Sequence, residues 1–499
     1  MSSDAKVRVN DSVRAFVARE HGLFINGGPQ PAQSAKRVEV FDPSTGEVIA
    51  TVPDADAADV GRAVSNAREA FDARVWSGLR PADRERILLH LADLIEANAE
   101  DLAQLETLEQ GKSINISRAI EVGATVEYVR YMAGWATKIT GETLDVSIPF
   151  PPGARYTAFT RKEPVGVVAG IVPWNFPLMI AVWKLIPALA AGCTIVIKPS
   201  PETPLTALRL AEIAVEAGIP PGVFNVVTGG RECGAALASH PQIAKISFTG
   251  STPTGKLIGT AAVQNMTRFS LELGGKNPAV MLADVDVDQA VQGALAGGFL
   301  NQGQVCAAAS RIYIHRSKYR QIADGLADVA RSMTLGAGLD PNAQINPLVS
   351  AQHRERVEQH IARAHADGLR FLAGGTRVDH PGYYVNPAVI ADVPHDAALV
   401  RDEVFGPVLA LIPFDDPAEA LRQANDSPYG LAASLWSNDL RTVMNLVPRI
   451  EAGTVWVNCH VPLDPSMPFG GYKQSGIGRE FGKYAVEGFT ETKSICIAH

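Results

Sequence analysis

Cysteine is scarce in this sequence, and the cysteines present form no recognisable ligand or disulfide pattern. Five occur, at positions 193, 233, 306, 459 and 496 of the 499 residues. The sequence has no CxxC pair and no Cys/His spacing of a zinc site, so we expect no bound metal. The odd number and wide spacing exclude a disulfide framework and are typical of a protein of the reducing cytosol.

The sequence also lacks a long apolar run and an excess of basic residues. No uninterrupted apolar run reaches the ~18 residues that a membrane span needs, and residues 1–8 lack the apolar segment of a secretion signal. Lys and Arg number 45 against 53 Asp and Glu, a net charge of -8. We therefore expect a cytoplasmic protein that acts on small molecules, with neither nucleic acid nor a membrane as partner.

The length and the order of apolar segments predict an α/β protein with more than one core. A chain of 499 residues is too long for a single hydrophobic core. Short, nearly all-apolar segments alternate with helical ones between residues 165 and 275, which predicts a doubly wound parallel sheet. The expected strands are residues 165–172, 193–197, 223–227 and 245–248. Residues 276 to about 475 repeat the alternation and predict a second α/β domain.

Two segments outside this alternation predict a small β element. Residues 141–162 alternate apolar and polar side chains around a Pro/Gly turn, which is typical of a hairpin. Residues 493–497 form another short strand candidate. A lone hairpin is marginally stable in water, so we expect these edges to join across subunits and give a homo-oligomer by strand addition.

The turn that contains Cys306 is the first candidate for chemistry. It lies between a helical pattern at 287–300 and a predicted strand at 311–315, and it contains glycine, glutamine and asparagine. A nucleophilic cysteine needs partial access and an environment that stabilises its thiolate. A single cysteine is more often structural, so the interpretation depends on the motifs elsewhere in the chain.

Five motifs in chain order, one of them with Cys306 downstream, together resemble a known family. They are PWNFP at 173–177; KPSPETP at 198–204; FTGSTPTG at 248–255; LELGGK at 271–276 with Cys306 downstream; and EVFGP at 403–407 with PFGGY at 468–472. Together they resemble the NAD(P)-dependent aldehyde dehydrogenase superfamily over essentially the whole chain. Within it, residues 105–112 and 155–164 resemble bacterial phenylacetaldehyde dehydrogenases most.

The resemblance implies a catalytic set. Cys306 would be the nucleophile, and Asn175 with the backbone N–H of residue 306 would bind the oxyanion. Glu272 would be the base that activates the deacylating water, while Lys184 and Glu480 would support proton movement. The implied reaction oxidises an aldehyde to its carboxylic acid through a cysteine thiohemiacetal and a thioester.

The resemblance also implies a dinucleotide, NAD with NADP possible. Lys198 ends a predicted strand and would contact the adenosine ribose. Pro201 stands where many NAD-preferring members have a glutamate, but Glu202 follows and would repel a 2′-phosphate, which favours NAD. The other implied cofactor-binding residues are Val172, Pro173, Trp174, Ser200, Gly229, Phe248, Thr249, Gly250, Ser251, Leu273, Gly274, Glu403 and Phe405.

Seven positions of the family's substrate tunnel are apolar in this chain. They are Phe176, Ile180, Trp183, Leu300, Val305, Leu463 and Phe469. An apolar, aromatic-lined tunnel favours an uncharged aldehyde, phenylacetaldehyde-like rather than a charged semialdehyde.

Three alternatives remain open at this point. One is an aldehyde dehydrogenase that acylates coenzyme A, although a carboxylate at position 272 favours water as the acceptor. Another is an enzyme for aliphatic or amino aldehydes. The third is a non-catalytic scaffold, which the presence of the reactive residues disfavours.

The resemblance finally implies a domain division and an assembly. Residues 1–140 and 161–274 would form the dinucleotide-binding domain, and residues 275–481 the catalytic domain. Residues 141–160 and 482–499 would form the oligomerisation strands of a dimer, or of a tetramer built as a dimer of dimers.

Overall fold

The protein is described by a computed structural model over residues 7–499, and within that range it is a mixed α/β structure. Its strands are β1 (Leu23–Ile25), β2 (Gly28–Gln30), β3 (Arg37–Asp42), β4 (Glu47–Pro53), β5 (Thr143–Leu144), β6 (Tyr156–Pro164), β7 (Val167–Ile171), β8 (Thr194–Lys198), β9 (Phe224–Val226), β10 (Lys245–Thr249), β11 (Arg268–Glu272), β12 (Asn277–Met281), β13 (Ala309–His315), β14 (Arg370–Ala373), β15 (Ala388–Ala391), β16 (Val408–Phe414), β17 (Tyr429–Gly430), β18 (Ala432–Trp436), β19 (Thr454–Val457), β20 (Tyr472–Lys473), β21 (Gly476–Ile477) and β22 (Thr490–Ala498).

The helices fill the connections between these strands. They are α1 (Asp11–Ala18), α2 (Ala57–Asp72), α3 (Pro81–Ala97), α4 (Ala99–Gln110), α5 (Ile114–Ile116), α6 (Ala124–Ala133), α7 (Pro177–Ala191), α8 (Leu205–Glu216), α9 (Arg231–Ala238), α10 (Thr252–Gln264), α11 (Val287–Phe299), α12 (Arg316–Ser332), α13 (Ala351–Ala366), α14 (Ala398–Arg401), α15 (Pro417–Asn425), α16 (Leu440–Leu446) and α17 (Gly482–Glu487). A π-helix at Ser117–Gly123 joins α5 to α6.

The first sheet has eight strands in the order β2-β1-β9-β8-β7-β10-β11-β21. Its five central strands, in the order β9, β8, β7, β10 and β11, are parallel to one another. They include the four strands predicted from the apolar segments, and with the helices they confirm the predicted doubly wound architecture. The carboxyl ends of parallel strands meet at one edge, where such sheets bind ligands.

The second sheet has seven strands in the order β14-β15-β16-β13-β12-β18-β19. All its pairings are parallel except that of β14 with β15. The chain passes from β11 to β12 over residues 273–276. One strand from late in the chain, β21, returns to pair antiparallel with β11 in the first sheet, although it lies in the range 275–481 expected for the catalytic domain.

A three-stranded antiparallel sheet, in the order β22-β6-β5, lies outside the two large sheets. The predicted hairpin is confirmed, since β5 pairs with β6. The carboxyl-terminal strand, β22, pairs with β6 of the same chain over its whole length, and the expected joining of these edges across subunits stays a prediction. A strand that continues directly from α17 reaches that edge without a partner molecule.

Helix α7 connects the first sheet to the site. Every residue of α7 is buried, as expected for a helix that is apolar on all faces. Pro177 is at its first turn and Gly192, with φ of +97°, follows its end, which are the preferred residues for a helix start and stop. The segment just before α7 contains Asn175 and Phe176, so the position of this helix fixes both.

Within residues 7–499 no helix combines the length and the apolarity needed to cross a bilayer.

Candidate active site

A cavity of about 280 Å³ opens where the carboxyl ends of β10 and β11 face the turn after α11. It brings together residues from four of the five sequence motifs. Its lining consists of Pro173, Trp174, Asn175, Thr249, Gly250, Ser251, Glu272, Leu273, Gly274, Cys306, His353, Arg356, His360, Glu403, Val404 and Phe405. Twelve of these were predicted from the sequence, and His353, Arg356, His360 and Val404 were not.

The segment before Cys306 has an unusual backbone. Asn301 (φ 48°), Gln302 (φ 56°) and Gly303 (φ 71°) are three successive left-handed residues. For the two non-glycine residues this conformation costs about 1–3 kcal/mol each and persists only where the surroundings enforce it. The predicted turn between a helix and a strand is confirmed, and Cys306 on it is half-buried.

Side chains from both sheets hold this turn in place. The Asn277 amide donates to the carbonyl oxygens of Cys306 (2.8 Å) and Ala308 (3.0 Å). The buried imidazole of His460 lies 2.7 Å from the carbonyl oxygen of Ala307. Because the backbone on both sides of the thiol is bonded to other elements, the sulfur is positioned by the fold rather than by a flexible loop.

Asn175 is adjacent to the same turn. Its Nδ2 donates to the carbonyl oxygen of Gln304 at 3.0 Å, and its own carbonyl accepts from Asn301 Nδ2 at 3.0 Å. One of its two amide hydrogens is used in that bond, so the other is free to donate into the cavity. The buried Asn175 side chain is therefore oriented by the turn that presents the thiol.

Burial shifts the pKa values of Cys306 and Glu272 toward their neutral forms. Burial, together with the nearby Glu272 and Glu403 carboxylates, raises the pKa of the Cys306 thiol to about 12. In the protein alone, the surroundings of Cys306 therefore favour the neutral thiol over the thiolate. Burial, and then the charge of Glu480, hold the pKa of Glu272 well above its usual range.

Glu272 is a buried carboxyl group without a hydrogen-bond partner among the described residues. Neither of its side-chain oxygens is bonded, although such groups are nearly always paired in proteins. A methyl group added at Gly470 would lie 2.8 Å from Glu272 Oε1, so the carboxyl group is directly against that backbone. It ends β11 and lines the cavity, with both oxygens buried and free of hydrogen bonds to the described residues.

Lys184 and Glu480 form a buried ion pair behind Glu272. Lys184 Nζ donates to Glu480 Oε1 at 2.5 Å. Glu480 and Phe469 exchange backbone hydrogen bonds of 2.8 and 2.9 Å. The pair therefore connects α7 to the segment that contacts Glu272, but it is one step removed from the cavity lining.

Glu403 and Phe405 line the other side of the cavity. The backbone N–H of Gly275 donates to Glu403 Oε1 at 3.0 Å, and burial raises the pKa of Glu403 to about 7. A side chain at Gly274 would collide with the Glu403 carboxyl group, since an added Cβ falls 2.2 Å from Oε2. Phe405 is left-handed (φ 56°) and packs edge-on against Trp174 at 5.3 Å.

A second group of predicted residues lies along the carboxyl end of β8, outside the cavity lining. Lys198 Nζ donates to the carbonyl oxygens of Pro199 (2.7 Å) and Gly229 (2.6 Å). The Ser200 hydroxyl donates to the carboxylate of Glu202. Val172 and Phe248, also predicted, are buried at the ends of β7 and β10.

The arrangement fits a dinucleotide. Ser251 caps α10 and accepts from the backbone N–H of Thr254, so the positive end of a 13-residue helix faces the cavity, a favourable setting for phosphate oxygens. Trp174 and Phe405 offer aromatic faces at the end near Cys306. The buried hydroxyl of Thr249 has no partner within the described chain, so it is available to a ligand.

The seven apolar residues predicted to line a substrate tunnel join one apolar cluster with Cys306. Phe176, Ile180, Trp183, Val305 and Phe469 are buried in it, and Leu300, Leu463 and Cys306 pack against it. None of the seven is in the lining of the cavity described above. These seven residues, called the substrate layer below, share that cluster with residues of α7.

Sequence reasoning missed the contribution of α13. His353, Arg356 and His360 lie at spacings of three and four residues, so they share one helix face, and that face borders the cavity. His353 Nε2 lies 2.8 Å from the carbonyl oxygen of Phe405. The spacing could have indicated this face, whereas no sequence signal singled out His460 or Asn277.

Comparison with known proteins agrees with this geometry. Residues 30–495 match the aldehyde dehydrogenase family. A phenylacetaldehyde dehydrogenase from Pseudomonas fluorescens is 50% identical, over 96% of each chain.

Solved structures are similar throughout. An aldehyde dehydrogenase from Bacillus cereus, solved as an NAD+ complex, has a TM-score of 0.96 at 43% identity and covers 99% of both chains. An indole-3-acetaldehyde dehydrogenase variant from P. syringae, in complex with NAD+ and IAA, has a TM-score of 0.93 at 39% identity and covers 98% of this chain and 99% of its own. The chain belongs to the aldehyde dehydrogenase family.

Proposed function

We propose that this protein oxidises an uncharged arylacetaldehyde, of which phenylacetaldehyde is the type, to its carboxylic acid with NAD. The observation that carries the proposal is that Cys306, Asn175 and Glu272, which has no hydrogen-bond partner among the described residues, line one cavity, and that Cys306 packs against an apolar cluster with aromatic members. The similarity to relatives that act on phenylacetaldehyde and indole-3-acetaldehyde supports the substrate class.

The proposed chemistry begins at Cys306. Its Sγ adds to the aldehyde carbon, and Glu272, in its ionised form, takes the thiol proton. The resulting oxyanion accepts hydrogen bonds from Asn175 Nδ2 and the Cys306 backbone N–H. When bound, NAD would supply the two-electron acceptor that oxidation of this thiohemiacetal to a thioester requires. Glu272 next releases the thiol proton to solvent and so recovers its ionised form. It then deprotonates a water whose oxygen attacks the thioester carbonyl carbon. The C–S bond breaks, the Cys306 sulfur recovers a proton from Glu272, and the acid is released.

Four groups would hold the dinucleotide. Trp174 and Phe405 would pack against the nicotinamide, with Glu403 on its ribose. The α10 amino terminus, with Ser251, would bind the pyrophosphate, and Lys198 with Glu202 would border the adenosine ribose. Lys184 and Glu480 would hold the local charge that sets the ionisation of Glu272.

Steady-state rates would test the substrate and cofactor. We expect phenylacetaldehyde with NAD to give a higher kcat/KM than a linear alkanal, betaine aldehyde or succinate semialdehyde, and NADP to be used less well. Cys306→Ser should lose at least ~10³-fold in rate, while replacing the exposed Cys459 by serine should have little effect. Faster turnover of the charged aldehydes would contradict the proposed substrate.

The acylating alternative has its own test. An enzyme that transfers the acyl group to coenzyme A would need that thiol for turnover, whereas hydrolysis through Glu272 would not. We expect the same rate with and without coenzyme A, and a requirement for it would overturn the hydrolytic proposal.

We also propose the domain division given by residue ranges above, with the small sheet as an oligomerisation element. The outer edge of β22 is the feature that favours this, because its side chains Cys496, Ile497 and Ala498 are exposed. An unpaired edge strand is a ready surface for a second copy of the chain.

A further inference from the structure

A buried cluster of charges contacts Phe176 of the proposed substrate layer and takes no part in the proposed chemistry. The side chain of Lys112 is fully buried, and its Nζ donates to Glu106 Oε1 at 2.7 Å and to Glu121 Oε2 at 2.6 Å. All three residues lie in or near the 105–112 segment and the π-helix, which the proposed reaction does not use. Buried charges of this kind are costly unless they are paired, so their position needs a reason.

The third partner of the Lys112 ammonium is an aromatic ring of the substrate layer. Nζ lies 4.5 Å from the centroid of the Phe176 ring, within the range of a cation–π contact. Phe176 directly follows Asn175 in the chain. A shift of the ammonium group would therefore change the position of a residue adjacent to the proposed oxyanion donor.

Glu121 connects the same cluster to the start of α7. Its second oxygen, Oε1, accepts from the backbone N–H of Met179 at 2.9 Å. Phe176, the residue that precedes α7, makes no side-chain capping bond. Glu121 thus satisfies a free N–H at the helix start from another element, where a carboxylate also interacts favourably with the helix dipole.

Two further features concern the attachment of Glu121 to Lys112 and to α7, namely the pKa of Glu106 and the π-helix. Burial and the neighbouring Glu121 hold the pKa of Glu106 well above its usual range, which favours one ammonium opposite one carboxylate. The π-helix that contains Glu121 is itself an uncommon element, found mostly at functional sites. Lys112 and Glu121 therefore hold the ring of Phe176 and the first turn of α7 from two directions.

We propose that Lys112, Glu106 and Glu121 form a charge clamp that fixes Phe176 and the first turn of α7, and that this clamp sets the preference for aromatic over linear aldehydes. This inference rests on the proposed function, since it concerns the selectivity of that site. Lys112 and Glu121 act through Phe176 and are positioning residues.

The test compares two buried carboxylates, Glu121 and Glu109, which accept backbone hydrogen bonds at the starts of two different helices. Glu121→Gln keeps an acceptor for Met179 but weakens the ion pair with Lys112. Glu109→Gln is the matched control, because Glu109 is equally buried and bonds the backbone N–H groups of Leu205 and Thr206 at the start of α8. Both variants remove one buried carboxylate that caps a helix.

We expect Glu121→Gln to raise KM for phenylacetaldehyde by roughly tenfold, consistent with a displaced cation–π partner. KM for a linear alkanal should change less than about twofold, and kcat for either aldehyde should change little. Glu109→Gln should lower the melting temperature without changing the ratio of kcat/KM values. An equal change of that ratio in both variants, or none in Glu121→Gln, would overturn the clamp.

A second pair of variants keeps the test decisive. In a Phe176→Leu background the ring is absent, so Glu121→Gln should no longer change the ratio. An undiminished effect there would contradict the role of the ring. If Glu121→Gln does not fold, Glu121→Asp, which keeps the charge but withdraws it by one methylene, is measured in its place. Failure of the wild-type protein to oxidise phenylacetaldehyde would instead refute the proposed function.

Discussion

At the scale of single residues, the protein alone favours the neutral forms of Cys306 and Glu272, the two groups proposed to react. The raised pKa values of Cys306 and Glu272 have the same first cause, burial. A neutral thiol resists oxidation and stray reaction, because the thiolate is the reactive form. The cost is that a proton must leave the pair before the thiol can attack, so activity should rise with pH.

Replacing Glu272 by glutamine should separate its catalytic value from its effect on stability. The pKa of Glu272 is higher in the folded protein than in the unfolded chain. As pH rises between the unfolded and the folded pKa, the wild type therefore loses stability relative to the variant, by about 1.4 kcal/mol per pH unit. We expect the variant's melting-temperature advantage to be larger at pH 8 than at pH 5, and its turnover to fall by about 10²–10⁴-fold.

The exposed Glu127 provides the control for that measurement. Glu127→Gln removes a carboxylate of the same size from the surface, so its melting temperature should follow the wild type at both pH values. An equal pH dependence for the two variants would show that the effect does not come from burial of Glu272.

Glu202 offers a second prediction at this scale. Its carboxylate, bonded to Ser200 near Lys198, would repel the 2′-phosphate of NADP. Glu202→Gln should raise the ratio of kcat/KM for NADP over NAD by about tenfold, and a fluorescence titration should show tighter NADP binding. Glu216→Gln, on the exposed face of α8, should leave both quantities unchanged.

At the scale of elements, the sequence predicted the parts that depend on local pattern. Apolar segments and the turn residues between them predicted the strands β7 to β10 and the turn at Cys306. A single sequence contains both of these signals. The supports of that turn do not. Asn277 reaches residues 29 and 31 positions away, and His460 reaches residue 307, which lies 153 positions away.

The edge that β22 joins could not be predicted for the same reason. The pattern of the last residues predicts a strand, but only the path of the chain after α17 decides which edge it joins. The left-handed backbone at residues 301 and 302 could not be predicted from the sequence either. Asn tolerates this conformation without requiring it, and Gln rarely adopts it. Tertiary bonds impose the backbone there.

Asn277→Ala should test whether the turn is held from outside. The variant loses two bonds to the turn and one from the backbone N–H of Ala432. At about 1 kcal/mol for each buried bond, we expect a loss of roughly 3 kcal/mol in unfolding free energy by denaturant titration. A displaced thiol should also lower kcat by about 10²-fold.

Asn265→Ala is the matched control, since that amide donates to Ser239 at the surface. It should cost less than about 1 kcal/mol and leave kcat unchanged. If Asn277→Ala lost stability but kept kcat, the turn would be positioned by its own residues and not by Asn277.

At the scale of the whole molecule, the cavity residues come from the parts of the chain that contain the two large, mainly parallel sheets. The cavity lies where residues of both large sheets meet. Glu272 ends β11 of the first sheet, and Glu403 lies shortly before β16 of the second sheet. The small sheet contributes no residue to that cavity. Its open edge at β22 is therefore free to serve assembly without altering the site.

Replacing Ile497 by lysine should test this last point. Ile497 is 50% exposed on β22, and a lysine on an edge strand opposes pairing with another chain. We expect sedimentation velocity to show a smaller species than the wild type, with kcat/KM per chain unchanged because the cavity lies elsewhere. Met444→Lys, at a position on α16 that is 66% exposed, controls for surface charge alone. An unchanged sedimentation coefficient for Ile497→Lys would place the assembly surface away from the small sheet, and an equal decrease for Met444→Lys would assign the effect to charge.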